Sequence, residues 1–337
     1  MSFSVGISGL PNVGKSTLFK ILTRREVKIS PRSFTTIEPN IGKVSLSDER
    51  LKMLSQLADF EKVTPTFIEF VDIAGLIKGA HKGEGLGNQF LSQIRECEEI
   101  IEVIRCFENL EVENVLGEIN PQKEIEVLET ELLMKDLETI ENAIKKSEKK
   151  KEGKVEVLKK IREELLKGRK ISEIKLEKEE IEKIKDFQFL TQKPQVYLLN
   201  VNGKTDFQRP KVKFLEINLK EEEEMLELTE EEKEELKLES KIDQLILECY
   251  RKLDLISFFT IKSRKEARAW TLKRGENILE AAKKIHSDFL KFKKAEVIEW
   301  DKLIKIGSWQ KAKEEGVLKI VGKDYIVQDG DVIEFKL

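Results

Sequence analysis

The stretch Gly9-Leu10-Pro11-Asn12-Val13-Gly14-Lys15-Ser16-Thr17 constrains this chain more than any other. It fits G-x-x-x-x-G-K-[ST]. Phe3 to Ser8 before it reads as a short buried strand, and Leu18, Phe19, Ile21 and Leu22 after it form the apolar face of a helix. Strand, glycine loop and helix in that order are the context in which the pattern has a mechanism. The glycines let backbone N–H groups curl around phosphate oxygens, and the helix points its positive end at them. Lys15 would then reach the β- and γ-phosphates, and the Ser16 hydroxyl would ligate Mg²⁺. A chance glycine turn ahead of a helix explains neither the Lys-Ser pair nor the strand. The stretch predicts a nucleotide site.

Two downstream segments fit the same chemistry. Thr36 lies in a polar stretch after the first helix, where P-loop GTPases place the residue that caps Mg²⁺ and senses the γ-phosphate. Phe67 to Ile73 is an apolar strand that ends in Asp72-Ile73-Ala74-Gly75. Asp72 would hold Mg²⁺ through water, and the Gly75 N–H would contact the γ-phosphate. The next residue is Leu76, which cannot orient a water as a glutamine does. Hydrolysis is then slow, or another group places the water. His81 and Glu84, in the glycine-rich loop from Gly79 to Gly87, are either solvated or able to swing toward the phosphates.

From Pro121 the periodicity changes. Ile125, Leu128, Leu132, Ile140 and Ile144 recur at helical spacing, the lysine-rich run 145–151 breaks it, and Val155, Leu158, Ile161 and Leu165 resume it. The pattern predicts an antiparallel helical hairpin with a narrow apolar seam, followed by a third charged helix over 171–187. Lys145, Lys146, Lys149, Lys150, Lys151 and Lys154 cluster at its tip, as a solvated helix end or a contact for RNA phosphates.

Gln195 to Asn200 returns to strand character. P-loop GTPases end this strand in Asn-Lys-x-Asp, whose aspartate reads guanine; here it ends Asn200-Val201-Asn202-Gly203, with no acid in fourth place. Adenine has an acceptor at N1 and no 2-amino group, so removing the carboxylate opens the site to ATP. A rival register, Gly203-Lys204-Thr205-Asp206, keeps Lys-x-Asp and would favour GTP. After Leu253 the order is strand, strand, helix (Ile278 to Phe289), then strands to Val332–Phe335, with Asp329-Gly330-Asp331 as a closing hairpin turn. That is a β-grasp order. His286 lies on its helix beside apolar neighbours and is expected to pack.

Composition narrows the partners. The 337 residues suffice for two or three domains. A net charge of −3 announces no bulk nucleic-acid binder, although a local basic patch is open to a chain with 61 Lys+Arg. Cys97, Cys106 and Cys249 have no metal-ligand spacing and read as reduced thiols in the cytoplasm. No apolar run reaches the ~18 residues of a membrane span.

On these motifs the sequence resembles the YchF/Obg-like ATPases, in the Obg group of P-loop GTPases. Thr36-Ile37-Glu38-Pro39-Asn40 looks like their switch I; Asp72 to Leu76 and Gly83-Glu84-Gly85-Leu86-Gly87-Asn88 look like their switch II. Arg105-Cys106-Phe107-Glu108-Asn109 follows their pattern, and Arg268-Ala269-Trp270-Thr271 with Lys323 to Asp331 is similar to their TGS domain. The resemblance implies a mixed α/β protein. Its G domain would occupy 1–115 and 191–252, with the helical insertion at 116–190 and a β-grasp TGS domain at 253–337. It also implies hydrolysis of ATP in preference to GTP, and association with ribosomes or ribosomal RNA. By position, Asn12, Val13, Gly14, Lys15, Ser16 and Thr17 would hold the phosphates, Ser16 and Thr36 the Mg²⁺, and Asn200 and Val201 the base; Asn12 resembles a K⁺ ligand of potassium-stimulated relatives. Two departures stand out. The family usually has an acid in place of Gly203, and many members have a histidine in place of Glu102.

Overall fold

The structure, a computed structural model, describes residues 3–24, 40–58, 60–73, 86–150, 154–203, 206–262 and 265–336. Thr36, Gly75, Leu76, His81 and Glu84 lie outside them. In chain order come β1 (Phe3–Ser8), α1 (Lys15–Arg24), β2 (Asn40–Ser45), α2 (Glu49–Ser55), β3 (Lys62–Thr64), β4 (Phe67–Asp72), α3 (Leu86–Glu96) and β5 (Glu99–Cys106). The helices α4 (Pro121–Lys150), α5 (Val155–Leu166) and α6 (Lys178–Ile184) follow, then β6 (Gln195–Val201), β7 (Phe214–Ile217), α7 (Leu219–Met225), α8 (Glu230–Glu235) and α9 (Ile242–Lys252). The chain closes with β8 (Leu255–Lys262), β9 (Glu266–Lys273), α10 (Ile278–Ile285), β10 (Lys294–Glu299), α11 (Trp300–Ile306), α12 (Trp309–Glu314), β11 (Lys319–Val321) and β12 (Asp331–Lys336).

Two compact units result: residues 3–44 with 69–245, and residues 45–68 with 246–337. In the first, the sheet runs β2-β4-β1-β5-β6-β7, and β1–β5, β5–β6 and β6–β7 pair in parallel. Parallel neighbours need a long crossover, and between β5 and β6 that crossover is the whole helical insertion. Every residue of β5 is buried, as an interior strand covered on both faces requires.

The insertion has its own core. Ile140, Leu158, Ile161, Leu165 and Phe189 are all at most 1% exposed. Asp136, fully buried on α4, accepts hydrogen bonds from the Leu190 and Thr191 amides (2.9 and 2.8 Å) and from the Thr191 hydroxyl (2.8 Å). It pins the returning chain to the root of the hairpin. α4 runs through Lys145 to Lys150, where the lysine run was expected to break it; those residues are good helix formers. The third helix expected over 171–187 is shorter. A 3₁₀ turn at Ile171–Glu173 ends with Ile174 in an extended conformation, and a new helix starts only after Glu177.

The second unit's sheet runs β11-β10-β12-β8-β9-β3. β8 and β9 are antiparallel, and β12 joins β8 in parallel. One face packs Ile256, Phe258 and Leu272 against Ile278, Ala281 and Ala282 of α10. The other packs Phe259, Ala269 and Val332 against Leu303 of α11 and Leu51 and Leu54 of α2. So α2 covers, and β3 extends, a sheet encoded mostly at the end of the chain.

Two details differ from the sequence reading. The turn at Asp329-Gly330 closes no hairpin between β11 and β12, because β10 lies between those strands. Gly330 is needed there for its φ of +94° and because a Cβ would meet Trp300 at 2.6 Å. The helix expected over Ile278 to Phe289 stops at Ile285, and His286 is exposed rather than packed. Its Nδ1 accepts the Asp288 amide at 3.2 Å, capping the next 3₁₀ turn. No helix among the described residues is long and apolar enough to cross a membrane.

Removing residues 246–337 strips the cover from Leu51 and Leu54, each worth about 1.5–3 kcal/mol when buried. The shortened chain is expected to bind 8-anilinonaphthalene-1-sulfonate and to melt earlier than the full chain in a thermal scan.

Candidate nucleotide site

The glycine loop leaves β1, beside β5 in the sheet, and enters α1. Three of its residues take positive φ: Gly9 (+146°), Asn12 (+64°) and Gly14 (+108°). At Gly9 a side chain would run into the Val103 carbonyl of β5. At Gly14 a Cβ would stand 2.5 Å from Asn200 Nδ2 and 3.1 Å from Leu219. Both glycines are therefore dictated by close approach as well as by backbone conformation.

Asn200, at the end of β6, explains the second approach. Its Nδ2 donates to the Val13 carbonyl at 2.9 Å, and its Oδ1 accepts the Leu219 amide at 3.3 Å. One buried side chain ties the loop to the start of α7. The sequence reading gave Asn200 to the base; both ends of its amide also serve as a brace.

A second brace comes from Arg105 on β5. Its guanidinium donates to the carbonyls of Val112 and Glu113 (both 2.9 Å) and of Phe107 and Asn109 (both 3.3 Å), and it lies over the Phe107 ring. Asn12 Nδ2 reaches the same Glu113 carbonyl at 3.3 Å. One cation thus shapes the 107–113 loop and sets it against the glycine loop. The sequence reading recorded the Arg-Cys-Phe-Glu-Asn run without a role for it; an arginine near the end of a mostly apolar strand was the available signal.

Between these braces lies a cleft of about 820 Å³, at the carboxyl ends of the strands where open α/β sheets bind ligands. Gly14 to Thr17 line it on one side and Asn200, Val201 and Asn202 on another. Asp206 is exposed and does not line it.

Lys15 is buried, and its Nζ donates to the Leu10 carbonyl at 2.7 Å. Burial lowers its pKa, against the opposing pull of Asp72, Glu124 and Glu102. Asp72, at the end of β4, is half-buried, and burial raises its pKa against the attraction of Lys15. Glu102 on β5 and Glu124 in the first turn of α4 are 2% and 4% exposed. Burial pushes Glu102 up to about 7, although the Ser8 hydroxyl donates to it. It pushes Glu124 up to about 8, although Glu124 Oε2 accepts the Arg105 amide at 3.2 Å. Glu124 lay in a helical pattern and carried no signal of this role.

Residues 4–160 match a family model described as a 50S ribosome-binding GTPase, and residues 255–337 match the C-terminal family model of YchF GTPases, described as a protein of unknown function. A relative from Pasteurella multocida named ribosome-binding ATPase YchF is 42% identical, covering 100% of this chain and 99% of its own length. The protein of that name from Haemophilus influenzae is 43% identical over the same shares. The chain belongs to the YchF family. The structure of the Schizosaccharomyces pombe YchF GTPase agrees: 30% identity, a TM-score of 0.85, and coverage of 99% of this chain and 98% of that one. The YchF fold thus joins a P-loop G domain to a C-terminal sheet domain, as the sequence motifs implied.

In this YchF chain, Asn200→Ala leaves the Val13 carbonyl and the Leu219 amide without partners. Urea denaturation is expected to show a loss of about 1–3 kcal/mol. Gly14→Ala is expected to weaken the binding of every nucleotide alike, because it displaces Asn200.

Proposed function

We propose that this protein is a Mg²⁺-dependent P-loop nucleotide hydrolase that prefers ATP over GTP and works as a ribosome-associated switch in the cytoplasm. The observation that carries the base preference is the cleft lining: Asn200, Val201 and Asn202 contribute to it, and Asp206 does not. The register Asn200 to Gly203 is favoured over the late one, and it has no guanine-reading carboxylate in fourth place. The curated relatives named as ribosome-binding ATPases support the same reading.

The geometry of the glycine loop supports the proposed roles. Backbone N–H groups of 12–17 cradle the phosphates, and Lys15 exchanges the Leu10 carbonyl for phosphate oxygens. Mg²⁺ takes oxygen ligands, and the donor types suit it: an exposed Ser16 hydroxyl on the first turn of α1 and the half-buried Asp72 carboxylate. Ser16 would hold the ion directly, with Thr36 as its partner from switch I, and Asp72 would act through water. When bound, the ion would offset the charge of the phosphates. Asn12 has its amide nitrogen on Glu113, which leaves its oxygen for a phosphate-side K⁺. Gly75 would sense the γ-phosphate. The domain boundaries at 115, 190 and 252 belong to the same proposal.

Competitive binding of ATP and GTP with Mg²⁺ tests the base preference. Asp206→Ala is the informative variant, because Asn200→Ala also loosens the loop for both nucleotides. ATP preference indifferent to Asp206→Ala is the expected result; GTP preference abolished by it would overturn the assignment. Lys15→Ala is expected to remove single-turnover hydrolysis.

The ribosome contact has its own test. Lys145 and Lys146 are exposed near the end of α4. Changing both to glutamate is expected to weaken ribosome co-sedimentation and to reduce its salt slope by ~0.7–0.9 per lost phosphate contact. An unchanged slope would take the tip out of the interface.

A further inference from the structure

We propose that Glu102 and Glu124 are positioning residues for Lys15: a buried carboxylate pair that holds the lysine's charge in the nucleotide-free loop and takes up a proton when phosphates arrive. This rests on the cleft being the nucleotide site.

The two carboxylates act on Lys15 through space from different elements, neither in ion-pair contact with it. Glu102 sits on β5 in register with Ser8 of β1 and Tyr197 of β6, so it lies directly beneath the root of the glycine loop. Glu124 comes from the first turn of α4 and uses one oxygen on the Arg105 amide. Glu102 Oε2 and Glu124 Oε1 are buried and have no hydrogen-bond partner among the described residues. Burying an ionised carboxylate is costly unless a charge or a donor answers it. The shared cation is Lys15, itself buried.

The remaining charges around the pair are accounted for. Facing Glu102 are Lys15 from α1, Tyr197 from β6, Glu129 and Glu124 from α4, and Lys170 beyond α5. Glu129 is answered locally, by the Tyr197 hydroxyl at 2.5 Å and by Lys170 at 2.8 Å. Facing Glu124 are Arg105, Lys15, Glu102 and the Cys106 thiol of β5, which burial keeps protonated. Asp72 faces Lys15 from β4. Phosphates drawn to Lys15 therefore compete with three acids for one ammonium. Like charges that close in a buried setting do not all stay ionised, and the pair with unpartnered oxygens is where the proton goes. Both carboxyls already stand near neutrality in the free protein. Since Glu124 belongs to α4, the seating of the helical insertion bears on how firmly the loop holds phosphate.

The sign is fixed by linkage. Above the free-state values both groups are ionised before binding and one is protonated after it, so rising pH weakens binding. Each proton taken up raises Kd by at most about tenfold per pH unit.

Titration calorimetry of MgADP into the full chain, at pH 6 to 9 in buffers of different ionisation enthalpy, reads the proton directly. Wild type is expected to take up protons from about pH 7 upward, most strongly above about pH 8, with Kd rising with pH. Glu102→Gln and Glu124→Gln, close in shape, are expected to reduce the uptake, flatten the pH profile and bind more tightly than wild type at pH 9. Zero uptake by wild type overturns the proposal without recourse to any variant. So does uptake unchanged in both variants. An absence of binding heat at every pH would instead overturn the nucleotide reading on which the pair depends.

Discussion

Asn200 has both ends of its side chain on backbone, with Nδ2 on Val13 and Oδ1 on Leu219. That bridge fixes how closely the glycine loop lies against the end of β6, and much of the site follows from it. Gly14 has no room for a Cβ because the amide stands there. The first turn of α7, which supplies the far wall of the cleft, starts at the residue whose amide Asn200 accepts. Arg105 does the corresponding work on the other side, gathering four carbonyls of one loop around a single guanidinium. A phosphate cradle made of backbone amides is only as rigid as the chain that carries them. Two long polar side chains from adjacent strands supply that rigidity.

The electrostatics of the site come from the same packing. The strand that presses on Gly9 also carries Glu102 beneath the loop, and the helix that tops β5 brings Glu124. A lysine kept in a low-dielectric setting interacts more strongly with phosphate than one in water. It also has to be neutralised while it waits, and the acids beneath it meet that requirement.

Much of this was legible in the sequence because the informative segments are local. A glycine pattern between a strand and a helix states its own geometry, and the Asp-x-x-Gly at the end of an apolar strand does the same. The helical hairpin was readable from its period. The losses were of two kinds. Boundaries failed where the apolar period stopped but helix propensity did not, as at Lys145 to Lys150, where charge was taken for a break. Long-range partners failed because nothing near them in the chain names them: Glu124 is an ordinary glutamate in a charged helix until α4 is laid against β5. The Asp329-Gly330 turn looked like a hairpin by local chemistry, and only the strand order shows β10 lying between its supposed arms.

The joint membership of residues 45–68 and 246–337 in one compact unit has a consequence for synthesis. The chain enters that unit, leaves it to build most of the first sheet and all of the helical insertion, and returns only near its end. At ~5–20 residues per second, the interval between translating the two parts is roughly ten to forty seconds. Throughout it α2 has emerged while β8, β9 and β12, which bury Leu51 and Leu54, have not been made. A nascent chain of this protein thus carries an unfinished apolar helix for most of its translation, and the last strands build the sheet to which β3, made early, belongs.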